Sequence, residues 1–178
     1  ADFLDVGCGT GTLLQALAKF CSASRASPTS SVNPEKRLVG VDVSAAMLEV
    51  ARRKLGSEAL LCEAHAAALP FTAESFGCVI SSSAFHYLRE PRLALRESFR
   101  VLKPGGVLLL ADWCADFWST RIATQALRIL RRPLHHVYRS QELCELCEQV
   151  GFRHIEVMRY RAAWPWGMLQ IRAQRPEV

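Results

Sequence analysis

The chain alternates short apolar runs with longer stretches whose apolar positions recur every three or four residues. The runs read as buried strands and the spaced stretches as amphipathic helices. Residues 3–6 predict a strand that ends in glycines, and 12–21 a helix with Leu13, Leu14, Leu17 and Cys21 on one face. A second strand is expected at 38–41, followed by a helix that Ser44 caps and Gly56 stops after Leu55. Strands follow at 59–62 and 78–81, then a helix at 91–102. The turn Lys103-Pro104-Gly105-Gly106 leads into a fifth strand at 107–111. Helices are expected at 117–131 and from a Ser140 cap to Gly151, and strands at 153–161 and 164–172 form a hairpin around Pro165 and Gly167.

This alternation predicts an α/β protein with a mostly parallel sheet and helices on both faces, closed by an antiparallel hairpin. In such sheets the ligand crevice lies beyond the carboxyl ends of the strands. Residues just after each strand are therefore the first candidates for function.

Composition changes this picture little. Half of the 178 residues are hydrophobic and 22% are charged, as in an ordinary globular protein. The apolar runs are too short to span a bilayer. Seven cysteines at irregular spacings argue against a disulfide framework and for a reducing, cytoplasmic setting. The net charge of +5 is spread over scattered arginines with acids between them, not gathered in a Lys/Arg block that would grip nucleic acid. Residues 22–37, rich in Ser and holding Pro28 and Pro34, read as a surface loop. The chain opens at Ala1 without an initiator Met and enters an apolar stretch at once, the expectation being an excerpt of a longer protein.

Two stretches carry ligand chemistry. In Asp5-Val6-Gly7-Cys8-Gly9-Thr10-Gly11 the glycines allow a sharp turn and close approach of a ligand. The helix that follows offers free N–H groups to an anion. The spacing is G-x-G-x-G rather than the G-x-G-x-x-G of dinucleotide enzymes, and a tight turn without ligand is the alternative. In Val39-Gly40-Val41-Asp42-Val43-Ser44 the acid ends a strand, where it can accept hydrogen bonds from a ribose. Ser44 is better placed than Asp42 to cap the helix, leaving Asp42 for a ligand.

These stretches closely resemble motifs of class I S-adenosylmethionine-dependent methyltransferases. Residues 4–11 resemble their first motif and 39–48 (VGVDVSAAML) their second. Leu69-Pro70-Phe71 with Glu74-Ser75-Phe76, then Phe85-His86-Tyr87-Leu88 and Arg100 to Gly106, complete the series in the same order. The branch resembled contains ubiquinone and menaquinone C-methyltransferases and many small-molecule enzymes. It implies a Rossmann-like, doubly wound, seven-stranded sheet in three α/β/α layers, with 1–178 as one domain lacking the family's upstream helices.

The resemblance also implies roles. Asp5 and the backbone of Gly7, Cys8, Gly9 and Gly11 would hold the methionine half of S-adenosyl-L-methionine, and Asp42 its ribose. Val43 and Met47 would flank the adenine, and Ser82 and Ser83 would line the methionine end; packing and solvation are their plainer explanations. His65 stands where the family usually has an acid that accepts from the adenine amino group; a neutral imidazole accepts through one ring nitrogen. Ala66 would contact the cofactor through its backbone. Gly77 replaces a common aspartate, which puts local rigidity in doubt.

The sulfonium methyl is already activated, so a base is needed only where the acceptor must lose a proton. His86 and Asp112 are the candidate catalytic residues, and Asp116, His135, His136 and Tyr138 also lie beyond strand ends. A structural His86 and a helix-capping Asp112 are the alternatives. Trp113, Phe117, Trp118, Trp164 and Trp166 fall where the acceptor wall should form. His135-His136 and Cys144-x-x-Cys147 lack ligand partners at metal spacing, so no metal is expected. The expected partner is a small-molecule acceptor rather than nucleic acid. An RNA or protein methyltransferase, or a cofactor-binding domain without turnover, is the alternative.

Overall fold

The computed structural model describes residues 2–25, 37–130 and 134–177. Its strands are β1 (Phe3–Val6), β2 (Leu38–Asp42), β3 (Leu60–Glu63), β4 (Phe76–Ser82), β5 (Leu102–Trp113), β6 (Arg153–Ala163) and β7 (Trp166–Gln174). Its helices are α1 (Thr12–Arg25), α2 (Ala45–Leu55), α3 (Pro91–Val101), α4 (Trp118–Ile129) and α5 (Ser140–Val150), with a short 3-10 turn at Phe85–Tyr87. The strands form one seven-stranded sheet in the order β3-β2-β1-β4-β5-β7-β6. β1 to β5 pair in parallel, and β7 runs antiparallel to both β5 and β6. This is the Rossmann-like, doubly wound arrangement expected. No helix among the described residues is long and apolar enough to cross a membrane.

Alternation along β2 builds two cores. Leu38 packs with Leu14 and Ala18 of α1 and Leu48, Ala51 and Leu55 of α2. Val39 and Val41 point to the other face, into a core with Leu95 of α3 and Leu143 and Cys147 of α5. Successive strand residues face opposite ways, so two-sided burial puts helices on both faces. The strand order reverses between β1 and β4, where Ser81 Oγ donates to the Val6 carbonyl at 2.8 Å. Ligands of open α/β sheets sit at such a reversal.

Several boundaries differ from the sequence reading. α1 continues to Arg25, into the first residues of the expected Ser/Pro loop, and 26–36 lie outside the described residues. The expected turn at Lys103–Gly106 is a bulged entry to β5: Phe76 pairs with Leu102, but Cys78 pairs with Val107. Gly77 sits in this irregularity and donates its N–H to the Asp2 carbonyl at 3.1 Å. Ser140 is the first residue of α5 rather than its cap. Glu142 accepts from the Arg139 N–H at 2.9 Å, and Asp116 accepts from Ser140 N at 3.2 Å and Ser140 Oγ at 2.5 Å. Burial raises the Asp116 pKa, but these hydrogen bonds outweigh it and hold the carboxyl below its usual range. The hairpin turn falls at Trp164 and Pro165, and Gly167 lies within β7, opposite Arg161.

Two arginine clusters, unseen in the sequence, fasten loops to the sheet. Arg175 donates to the carbonyls of Phe99, Arg100 and Leu102, at 3.1, 3.3 and 2.6 Å. It thereby satisfies acceptors that the end of α3 leaves open. Arg100 donates to the Leu69 and Phe71 carbonyls at 3.0 and 2.7 Å, while Glu97 accepts from Leu69 N at 2.8 Å. Hydrogen bonds from Arg100 hold the Glu97 carboxyl below its usual range against the opposing effect of burial. The pair pins the loop that follows His65 and Ala66.

Candidate functional site

The glycine loop leaves β1 at the strand reversal and runs between two cavities. The larger, about 500 Å³, takes in Gly7, Gly9, Asp42, Val43, Met47 and Ser83. His65 and Ala66 form another part of its wall. The smaller, about 360 Å³, is lined by Asp5, Cys8, Thr12, Leu13 and Ser82, with Gly7 common to both. The structure thus gathers eleven of the twelve expected cofactor residues around one loop, the exception being Gly11.

Asp42 shapes this loop directly. Its Oδ2 accepts from Gly9 N at 2.8 Å and its Oδ1 from Ser44 N at 2.9 Å. Ser44 caps α2 as expected, its Oγ accepting from Met47 N at 3.4 Å. Each carboxylate oxygen keeps a lone pair, so Asp42 can still accept from a ribose hydroxyl. Gly9 has φ +52°, and a Cβ there would meet nothing within 4 Å, so the backbone stands bare towards the cleft. Gly11 serves differently. A Cβ on it would lie 2.7 Å from Leu55 Cδ1 and 3.1 Å from Ala51 Cβ. The structure therefore sets Gly11 against α2 and not in the cleft, and its absent side chain lets the loop seat on that helix.

Asp5 is almost wholly buried, and its Oδ1 has no hydrogen-bond partner among the described residues. Burial, reinforced by the charge of Asp42, pushes its pKa up to about 7. A lone buried carboxylate is costly unless a cation or donor meets it. The same burial, with Asp5 and Asp42 nearby, pushes the Cys8 thiol up to about 12, so it stays protonated in the loop. Ser83, after β4, holds φ +54°, a conformation uncommon outside glycine, and its N–H donates to the Ala111 carbonyl at 2.7 Å.

His65 departs from the sequence reading in its hydrogen bonding. Its Nδ1 accepts from the Ala67 N–H at 3.2 Å. In the neutral ring the proton then resides on Nε2. The nitrogen left over is a donor, so the ring does not replace the family's acid as an acceptor for the adenine amino group.

His86 and Asp112 are brought together and buried. Nδ1 of His86 lies 2.6 Å from Asp112 Oδ1, and the His86 N–H donates to Asp112 Oδ2 at 3.1 Å. The imidazole stacks on Trp113 with centroids 4.2 Å apart, and Trp113 stacks on Trp166 at 4.5 Å. Among the described residues His86 Nε2 is buried without a hydrogen-bond partner, and neither residue lines the cavities just described. The His86 carbonyl accepts from His135 N at 2.9 Å and His136 N at 3.3 Å. The pair thus anchors the segment that leads to α5. His135 faces the cofactor-side cavity, whereas His136 lines a separate cleft beside α4. Tyr138 is buried, and burial foremost pushes its hydroxyl up to about 12, which removes it as a base near neutrality. Cys147 is a core thiol, likewise pushed up to about 12 by burial. Trp118 and Trp164 meet edge to face on the surface, and Phe117 packs against Gly167.

Fold and site together define a class I, Rossmann-like domain whose glycine loop, strand-end acid and buried carboxylate meet at the strand reversal. The sequence matches the model of the methyltransferase domain family over residues 4–110, more than half of the chain. It is 34% identical to the ubiquinone/menaquinone biosynthesis C-methyltransferase of Hahella chejuensis, over 64% of this chain and 43% of that protein. It is 29% identical to a mouse protein named probable tRNA methyltransferase 9B, over 88% of this chain and 31% of that protein. A solved S-adenosylmethionine-dependent methyltransferase of Thermotoga maritima superposes with a TM-score of 0.78 at 21% identity, covering 98% of this chain and 81% of that one. The chain belongs to the S-adenosylmethionine-dependent methyltransferase domain family, and S-adenosylmethionine is its cofactor. It spans less than half the length of these two curated relatives.

Proposed function

We propose that this domain transfers the methyl group of S-adenosylmethionine to a small-molecule acceptor. The observation that carries the reading is the unpartnered buried carboxylate oxygen of Asp5 beside a glycine loop tied to Asp42. The cofactor's ammonium matches the first and its ribose diol the second. Val43 and Met47 present exposed apolar surface in the same cavity, suited to the face of an adenine ring. Gly7, Cys8, Gly9, Ala66, Ser82 and Ser83 complete the cradle. The relative named as a quinone-pathway C-methyltransferase supports a small organic acceptor.

The cofactor supplies an already activated methyl group. What the chain must add is alignment and the exclusion of water. His86 and Asp112 serve this as positioning residues: buried, they hold His135, which lines the cavity. Seven free thiols suit a reducing cytoplasmic setting. An RNA acceptor is the second reading, favoured by the relative named for tRNA.

Calorimetry with S-adenosylhomocysteine, followed by transfer of labelled methyl to panels of small metabolites and of RNA, tests both readings. One-to-one binding and label in the small-molecule fraction are expected. Absence of binding would overturn the cofactor assignment, and label confined to RNA would overturn the acceptor class.

A further inference from the structure

A separate cleft of about 620 Å³ opens between α4 and the segment that precedes α5. Arg121 and Arg128 reach it from α4, seven residues apart and so on one face of the helix, and Arg139 reaches it from the other side. Among the described residues none of these three guanidinium groups has a carboxylate partner. Arg128 donates to the His135 carbonyl, at 3.3 Å. The one acid in the lining, Glu142, is already engaged by the Arg139 N–H at 2.9 Å and by His136 Nε2 at 3.4 Å. Trp118 and Ile122, 58% and 62% exposed, supply an uncovered apolar wall beside the cations.

Three guanidiniums without a carboxylate partner among the described residues, set around one concavity, repel one another and present planar donor forks that fit a phosphate or carboxylate two bonds at a time. The exposed indole and isoleucine fit an apolar body attached to that anion. The cleft also adjoins the cofactor side. His136 lines it, the preceding His135 lines the cofactor cavity, and both donate to the carbonyl of His86. We infer that this cleft anchors an anionic headgroup, phosphate or carboxylate, of an otherwise apolar methyl acceptor. The inference rests on the methyltransferase reading above.

Titration of the intact chain with phenyl phosphate and with benzoate tests it and separates the two headgroups, with benzyl alcohol as the uncharged control. At least one anion should bind one-to-one and perturb the Trp118 indole N–H resonance, while benzyl alcohol should not. The double variant Arg121→Gln/Arg139→Gln should bind that anion at least about tenfold more weakly, since it loses charge-assisted bonds, and bind S-adenosylhomocysteine as the parent does. Failure of both anions to bind, or equal binding by the variant, overturns the anion site even where S-adenosylhomocysteine binds normally. Variant-sensitive binding of a single-stranded RNA oligonucleotide without either small anion overturns it in favour of a nucleic-acid contact. Absence of S-adenosylhomocysteine binding by the parent overturns the enzyme reading, and with it the identity of the anion as an acceptor.

Discussion

The backbone N–H of Gly9 donates to Asp42 Oδ2 at 2.8 Å, so the residue that ends β2 also holds the loop that follows β1. One carboxylate thus orders the loop and offers its remaining lone pairs to a ribose. Asp42→Ala should weaken S-adenosylhomocysteine binding by roughly 3 kcal/mol, two charge-assisted hydrogen bonds at about 1.5 kcal/mol each. Calorimetry reads this directly. Unchanged affinity in a folded variant would remove Asp42 from the ribose site.

Gly9→Ala separates space from strain. The added Cβ meets no protein atom within 4 Å, so the folded state should lose only the cost of φ +52° in a residue with a side chain. That cost is about 1 kcal/mol. The methyl group projects where the cofactor must approach, so binding should fall far more than stability. A variant that binds normally would show that the cofactor does not touch this loop.

Asp5 gives the site a pH signature. An unfolded aspartate ionises near pH 4, whereas Asp5 in the fold keeps its proton up to about pH 7. Between these values the folded chain binds more protons than the unfolded one, so this group's contribution to stability falls as pH rises through the window. Cofactor binding should respond oppositely, because only the ionised carboxylate pairs with an ammonium. Affinity should rise from about pH 5.5 to 8, with proton release on binding below about pH 7. Calorimetry in buffers of differing ionisation heat measures that release. Asp5→Asn should bind weakly at every pH, and a parent-like pH profile in that variant would refute the role of Asp5.

The hydrogen bond of 2.6 Å between His86 and Asp112 leads to a different expectation. Asp112→Asn should cost about 2–3 kcal/mol of stability, the range for a buried hydrogen bond to a charged group. Denaturant midpoints measure it. A positioning pair also predicts a raised KM for the acceptor in this variant, with the pH profile of kcat unchanged. A shift or loss of the profile's acidic limb at undiminished stability would instead make His86 a base that touches the acceptor.

What the sequence made legible was whatever depends on local pattern. The period of apolar positions located every strand and helix, and the glycines, Asp42 and the Ser44 cap were readable because each acts within a few residues. Contacts made across the fold were not. Arg175 closes the end of α3 from more than seventy residues away, and nothing near it in sequence marks that partner. Gly11 looked like its neighbouring glycines until α2 was seen packed on it. The arginines of the second cleft were scattered in sequence and converge only when α4 folds beside Arg139.

His65 shows how one backbone contact reverses a chemical expectation. With Nδ1 accepting from Ala67, the neutral ring offers Nε2–H to the cavity, a donor where the family's acid is an acceptor. A donor there can meet a ring nitrogen of adenine but not its amino group. His65→Asn should preserve the Ala67 bond, because an asparagine carbonyl accepts from the N–H two residues on in the same way. It removes the outer donor, so the thermal midpoint should hold while S-adenosylhomocysteine binds about five- to tenfold more weakly, the worth of about one hydrogen bond. His65→Asp should bring back an acceptor and, with it, discrimination against cofactor analogues methylated on the adenine amino group. Equal affinity of the parent, the asparagine and the aspartate variants for the unmodified cofactor product would show that the ring makes no directed contact with adenine and only walls the cavity.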